Sequence, residues 1–297
     1  MNLQIIIPVY NRFGYLAPLL DQLADQTLRP SRVVIVDHGT ESLLLDDRWP
    51  FQVEILKRSS ELWFTAATNA GLAHARLESP GFLVILNDDV VLGSNDWLAR
   101  LVELAAEPDT IVASAALDEH ERVLYGGVRL RAATFSYRID DRGRDYASID
   151  KSPRNCDVLP TRGIVFHTSV WDRVGPLDEV GLPHYASDYE WTARAKKQGV
   201  RLIMARNVFL ITTKVPRFRC ASLSFAAELT DFMRSKHKKG SLPVVYAFAS
   251  RVFRQPYRSG FLSVHVLKCV LACMLRQLAW KARFCRSKAW RPRNVTN

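Results

Sequence analysis

Leu83-Val84-Ile85-Leu86-Asn87-Asp88-Asp89-Val90 is the stretch on which the reading of this chain turns. A branched apolar run that stops at Asn-Asp-Asp has the pattern of a buried strand carrying two carboxylates to its C-terminal end. In open parallel sheets ligands bind beyond the carboxyl ends of the strands, so chemistry is expected there. Two neighbouring carboxylates are costly to hold together without a cation or strong donors. A hard divalent ion, Mg²⁺ or Mn²⁺, shared with substrate phosphates would meet that cost. The plainer alternative is a strand that merely ends before a helix at Asn95 to Leu104.

The segments before it repeat the pattern. Leu3 to Val9 reads as a buried strand whose pairing Pro8 is expected to end, followed by Tyr10, Asn11 and Arg12. Leu16, Leu19, Leu20 and Leu23 then keep helical spacing. Ser31 to Asp37 is a second buried strand closing on an acid, and Phe51 to Leu56 is a third with the character of an edge. Ala66 to Leu77 reads as a small-faced helix. Strand, helix, strand, strand, helix, strand is the alternation of a parallel α/β domain. Three of these strands end in polar or acidic residues and so aim at one edge.

Beyond Val90 the reading is of short strands at Val112 to Leu117, Val123 to Leu130 and Phe135 to Ile139, with a bulge at Gly126-Gly127. Arg138 to Arg154 is polar, charged and loop-like, a candidate mobile segment. Thr161 to Phe166 leads into a helix at Ser169 to Val174. Ser187 to Gly199 reads as a helix with a Ser or Asp N-cap and Gly199 closing it.

Charge divides the chain. The net value is +11, yet no Asp or Glu follows Asp231 while 15 Lys and Arg do, leaving 26 basic residues against 30 acidic before that point. A mildly acidic body with a basic tail implies an anionic surface as the tail's partner. Val264, Leu267, Leu271, Leu275 and Leu278 form an apolar stripe flanked by Lys268, Arg276, Lys281 and Arg283, with Trp280 and Trp290 near its end. That is the pattern of an interfacial helix on an anionic membrane; a helix packed on the body or in a homodimer is the alternative. The stripe is too polar for the ~18 apolar residues of a span. The start lacks a signal-peptide layout, and five unpaired-looking cysteines fit reduced thiols, so a cytoplasmic, peripheral location is expected.

No G-x-G-x-x-G follows the first strand and no P-loop is present, which sets aside dinucleotide dehydrogenases and P-loop NTPases. No nucleic-acid module is readable, and acids gather where phosphate contacts would want cations, so no nucleic-acid partner is expected. A nucleotidyltransferase would carry a Gly-rich basic loop after the first strand, where Pro8-Val9-Tyr10-Asn11-Arg12 stands instead.

Taken in order, several motifs resemble the family 2 inverting glycosyltransferases of GT-A fold, in particular the rhamnosyltransferase-like bacterial subgroup. They are Pro8 to Arg12, Gln26-Thr27 with Val34 to Asp37, Leu62 to Gly71, Leu86 to Val90, Gly163, Val174-Gly175 with Leu177 to Glu179, and Asp188 to Gly199. The resemblance implies a Rossmann-like, mostly parallel α/β sheet flanked by helices in residues 1–230. Residues 1–90 would form the nucleotide-sugar half and 91–230 the acceptor half, followed by a basic amphipathic helical extension over 231–297. It implies transfer from a nucleotide-diphosphate sugar, UDP or dTDP favoured, to a hydroxyl of a cell-surface polysaccharide or lipid-linked acceptor. Pro8, Tyr10, Asn11 and Arg12 would line the nucleotide, Tyr10 against the base, and Asp37 would accept the imide N–H of uracil or thymine. Trp63, Asn69, Gly71, Asn87 and Asp88 would lie along the sugar, diphosphate or ribose. Asp89 would be the metal ligand, for Mg²⁺ or Mn²⁺, and Asp188 the catalytic base. Three departures stand out: His38 after Asp37, Ser187 before Asp188, and no His between Val208 and Thr213.

Overall fold

The computed structural model describes residues 2–41, 43, 45, 48–131, 136–212 and 225–289, with side chains in the last span at 229–271, 274 and 275. Phe135, Thr213 and Trp290 lie outside the described residues, as do the side chains of Arg276, Leu278, Trp280, Lys281 and Arg283.

Three strands open the sheet with helices between them: β1 (Leu3–Val9), α1 (Leu16–Ala24), β2 (Arg32–Asp37), β3 (Gln52–Lys57) and α2 (Phe64–Arg76). The chain continues through β4 (Phe82–Ile85), β5 (Val90–Leu92), α3 (Trp97–Ala105), β6 (Thr110–Leu117), β7 (Val123–Tyr125), β8 (Val128–Arg131) and β9 (Ser136–Ile139). After them come β10 (Arg154–Asn155), β11 (Ile164–His167), α4 (Thr168–Val174), α5 (Ser187–Lys197), β12 (Arg201–Thr212), α6 (Phe225–Arg234), α7 (Leu242–Val252) and α8 (Tyr257–Ala289).

The main sheet runs β10-β12-β6-β11-β4-β1-β2-β3, with β5 added to β12 and β7 to β6. β4, β1, β2 and β3 are parallel neighbours, as are β6 and β12, while β11 runs against both its partners. The expected mostly parallel α/β sheet is therefore present, with β3 at its edge. Strands buried on both faces need continuous apolar runs, and β1, β2 and β6 are buried at every position. On one face α1 and α3 pack through Leu16, Leu19, Leu20, Leu23, Leu98 and Leu101. On the other lie α2, α4 and α5, through Leu72, Trp171 and Trp191. Each fully buried side chain of this kind contributes roughly 1.5–3 kcal/mol, so these stripes hold the three layers together.

Three expectations need correction. Pro8 does not end β1: pairing with β4 stops at Ile6, but β2 stays in register through Pro8↔Val36 and Val9↔Asp37. The strand expected over Val123 to Leu130 is two, broken at Gly126-Gly127, where Gly127 takes φ +131° and the chain passes from the main sheet to the separate β8–β9 pair. The segment 138–154 is no bare loop. Arg206, fully buried at a register shift of β12, ion-pairs with Asp141, and the Tyr146 hydroxyl donates to its carbonyl at 2.9 Å. Within the segment read as the tail, α7 shares a core with Leu182 and Ala193 through Val244, Val245 and Phe248. No described helix is long and apolar enough to cross a membrane.

Gly163 fixes the turn entering β11. Its φ is +74°, and a Cβ there would meet Leu210, Ser114 and Trp97 side-chain atoms at 2.7–2.9 Å. Its N–H donates to the Ile85 carbonyl and its own carbonyl accepts from Ser114 N–H, so the turn is stitched between β4 and β6. Gly163→Ala combines a left-handed backbone penalty with overpacking and is expected to cost about 3 kcal/mol. Urea unfolding checks this, and an unchanged midpoint would show that the turn can relax.

Candidate active site

The polar ends of β1, β2 and β4 meet at one edge of the sheet. Beyond β4, Asp88 and Asp89 are 1% and 5% exposed. Two buried carboxylates demand countercharge, and Arg12 supplies it at 2.6 Å from Asp88 and 3.2 Å from Asp89. Asn87, half-buried, precedes them in the same turn.

The loop that carries Arg12 is locked to the end of β2. Asn11 sits at φ +50°, a conformation that Asn tolerates better than most residues. Its side-chain oxygen accepts from Thr40 N–H at 2.8 Å and its amide donates to the Thr40 hydroxyl at 2.9 Å. Asp37, buried at the end of β2, accepts from Gly39 N–H at 2.9 Å and pairs with Lys57 at 2.8 Å. Lys57 stands directly opposite Asp37 in the β2–β3 register. Tyr10 is exposed, its ring 5.3 Å from that of His38. The His38 Nδ1 lies 3.0 Å from the Leu62 carbonyl oxygen, and burial lowers its pKa.

Not every residue expected at the donor is gathered there. Asn69 spends its amide on the opposite wall of the domain: it donates to the Leu177 carbonyl and to Glu179, and accepts from Leu177 N–H, each at 2.9 Å. Gly71 faces the sheet, where a Cβ would come within 2.6 Å of both Ile6 and Val36. These positions set how closely α2 packs. Trp63, at the N-cap position of α2, is 42% exposed and stacked at 3.8 Å on His237, with His184 edge-on at 5.4 Å.

The second wall is the N-terminus of α5. Asp188 is half-buried in its first turn. The expected Ser or Asp cap is absent: the N-cap position is Ala186 at φ +67°, with no side-chain cap. The Ser187 and Thr65 hydroxyl oxygens instead lie 2.8 Å apart in a hydrogen bond, and the Thr65 hydroxyl donates its proton to the Leu182 carbonyl. That contact ties α5 to α2 and so Asp188 to Trp63. The helix closes as read, with Gly199 at φ +87° just past its end. Desolvation raises the Asp188 pKa, opposed by the backbone N–H groups of Tyr189 and Thr161 and by the Arg162 charge. Tyr125 and Lys239 also feel the Asp188 charge. A carboxylate whose proton affinity burial has raised suits proton acceptance.

The contributions of Lys57, Arg162, His184, His237 and Lys239 escaped the sequence. Register alone gives Lys57. The others come from segments flanking the motifs, and Lys236-His237-Lys238-Lys239 read as part of a basic tail. In the fold this loop returns to the body, placing His237 on Trp63 and Lys239 near Asp188. Among the described residues no group of three or more His, Cys, Asp or Glu converges on a metal position.

Comparison with known proteins follows the same outline. Residues 4–157 match the family model described as glycosyl transferase family 2. The chain is 24% identical over 82% of its length to the uncharacterized glycosyltransferase YwdF of Bacillus subtilis, covering 87% of that protein. It is 20% identical over 60% of its length to the O-antigen chain rhamnosyltransferase RfbN of Salmonella typhimurium, covering 56% of it. An uncharacterized Sinorhizobium fredii protein, y4gI, is 25% identical over 66% of this chain, which spans only 22% of that relative. GalNAc-T7, crystallised with UDP, GalNAc and Mn²⁺, aligns over 88% of this chain and 49% of its own, with a TM-score of 0.62 and 14% identity. S. aureus TarS with UDP-GlcNAc aligns over 90% of this chain and 72% of its own, with a TM-score of 0.57 and 15% identity. The likeness to these structures lies in the fold, which is of GT-A type.

A raised carboxylate leaves a sign in stability. Asp188 ionises at higher pH in the folded chain than in the unfolded one, so its charge opposes folding. That cost is absent below the ordinary carboxylate pKa and complete above the raised one. Asp188→Asn should therefore be at least as stable as the parent at pH 7, its advantage shrinking as pH falls. Urea unfolding across a pH series reads this directly, and a less stable variant at pH 7 would mean the charge is compensated.

Proposed function

The chain belongs to glycosyl transferase family 2, and from that premise we propose that it transfers a sugar, with inversion, from a nucleoside-diphosphate sugar to an acceptor hydroxyl. The observation that carries this reading is the buried Asp88–Asp89 pair at the edge where β1, β2 and β4 end. Such an edge is where an α/β sheet binds its ligand.

In this reading Tyr10 presents its exposed ring to the base. Asp37, fixed by Lys57 and Gly39, lies at the base end of the pocket, its carboxylate an acceptor for the imide N–H of uracil or thymine. UDP or dTDP sugars are accordingly the favoured donors. Asp88 and Asp89 suit a hard cation that takes the rest of its shell from diphosphate and water, as Mg²⁺ usually does. The Mn²⁺ crystallised with GalNAc-T7 supports a divalent ion of that kind. When bound, with Asp89 as its ligand, the ion would offset charge on the departing diphosphate. Arg12, already paired with both carboxylates, can turn to the same anion.

Asp188 takes the proton of the acceptor hydroxyl as its oxygen bonds to the anomeric carbon. On the opposite side the bond from that carbon to the diphosphate oxygen breaks, and the nucleoside diphosphate leaves with the electron pair. The acceptor is a hydroxyl of a cell-surface polysaccharide or its lipid-linked precursor; the O-antigen chain rhamnosyltransferase among the relatives supports that class.

Two experiments test the assignments. Asp188→Asn should lower kcat about 10² to 10⁴-fold while calorimetric donor binding stays near normal, because the proposed donor contacts lie on the other wall. Near-normal transfer would move the base elsewhere, and lost donor binding would place Asp188 in the nucleotide site. For the metal, UDP with Mn²⁺ at 100 times its Kd should stabilise the parent by about 2.7 kcal/mol. Asp89→Asn should lose the Mn²⁺-dependent part of that stabilisation, and an equal shift in the variant would remove Asp89 as a ligand.

A further inference from the structure

α8 has two unlike faces. Phe261, His265 and Cys269 lie four residues apart on the face turned to the body. Phe261 packs on Phe248 and Phe253, and the His265 Nε2 lies 2.8 Å from the Gly240 carbonyl oxygen. At about 100° per residue, Leu267, Leu271, Met274 and Leu275 fall roughly 180–280° around the helix from His265. They are 59%, 49%, 50% and 64% exposed. Leu267, Leu271 and Leu275 of the apolar stripe legible in the sequence are thus on the outward face, and the helix is held to the body by its other side.

We propose that this outward face of α8 is a docking surface for an anionic lipid bilayer, on which the helix lies in the plane of the interface. Four large apolar side chains on one turned-out face amount to more than the scattered exposed hydrophobics that soluble proteins carry singly. Charge selects the occupant. From residue 232 onward the chain holds 15 Lys and Arg and no Asp or Glu. A second copy bound through the same patch would lay one such segment against another, because a two-fold contact is self-complementary. An anionic headgroup layer attracts the same charges and receives the leucines below them. Over its described residues α8 is not apolar enough to cross a membrane, and a place in the plane of the interface does not require it to be.

The test uses the full chain and no catalysis, so its outcome is independent of the transferase reading. The parent protein is sedimented with vesicles of phosphatidylglycerol and phosphatidylcholine, with phosphatidylcholine vesicles alone, and across a salt series. Its mass is read by light scattering. Binding is expected on the anionic vesicles alone and should weaken steeply as salt rises. The triple variant Leu267→Gln/Leu271→Gln/Leu275→Gln should lose about 100-fold in partitioning. Leu271→Met, which keeps the face apolar, should bind as the parent does. Because the three leucines already face water, the triple variant should keep the parent's unfolding midpoint. A parent that ignores anionic vesicles at low salt overturns the proposal, whatever the variants do. So does a triple variant that binds as tightly as the parent, which would leave the attraction to charge alone. A parent dimer that the triple variant dissolves overturns it in favour of a second copy.

Discussion

Two carboxylates buried side by side at the end of β4 are the constraint around which the rest of this domain is arranged. In water the repulsion between Asp88 and Asp89 would be weak; at 1% and 5% exposure they need a cation close at hand. The Arg12 guanidinium meets that need only while the loop after β1 holds it in place. The loop is held because Asn11 reaches over to Thr40, and the Thr40 turn is held because Asp37 binds Gly39 and Lys57. The parallel pairing of β4, β1 and β2 brings these loops to a common edge. The order of the strands and the chemistry of the edge are thus parts of one solution.

α2 couples that edge to the far wall. Thr65 holds the segment leading into α5 through Ser187 and Leu182, and Asn69 holds the turn at Leu177. Gly71 lets the helix sit directly on Ile6 and Val36. Asp188 therefore stands at a fixed place relative to Trp63, in a setting dry enough to raise its pKa. A pocket between α2, α4, α5 and α7, lined by Trp171, Glu190 and Arg251, takes in Asn69 of the same clamp.

Much of the sheet was legible because fully buried strands leave an unambiguous apolar run, as in Val33 to Val36 and Leu83 to Leu86. The acidic strand ends were legible for the same reason, a sudden change of polarity after such a run. Three things left no such mark. β12 mixes Arg206 and Asn207 into its apolar pattern, because a buried ion pair and a register shift sit in its middle. Asn69 and Gly71 carry a donor-site motif in the sequence, yet their contacts are with Leu177, Ile6 and Val36, which no local pattern reveals. The Lys-His-Lys-Lys run shows its charge but not its path, and only the packing of α7 on α5 brings it back to Trp63.

The Asn11–Gly39 contact bears on inheritance. A Cβ at position 39 would overlap the Asn11 side-chain oxygen, and that oxygen has its place because the Asn11 backbone adopts φ +50°. A larger residue at 39 is admissible only if residue 11 withdraws, and residue 11 can withdraw only by giving up the Thr40 turn. The two positions, distant along the chain, therefore drift together or not at all. Among descendants of this sequence they should covary as one unit, while exposed neighbours such as Gly14, with open space around them, change freely.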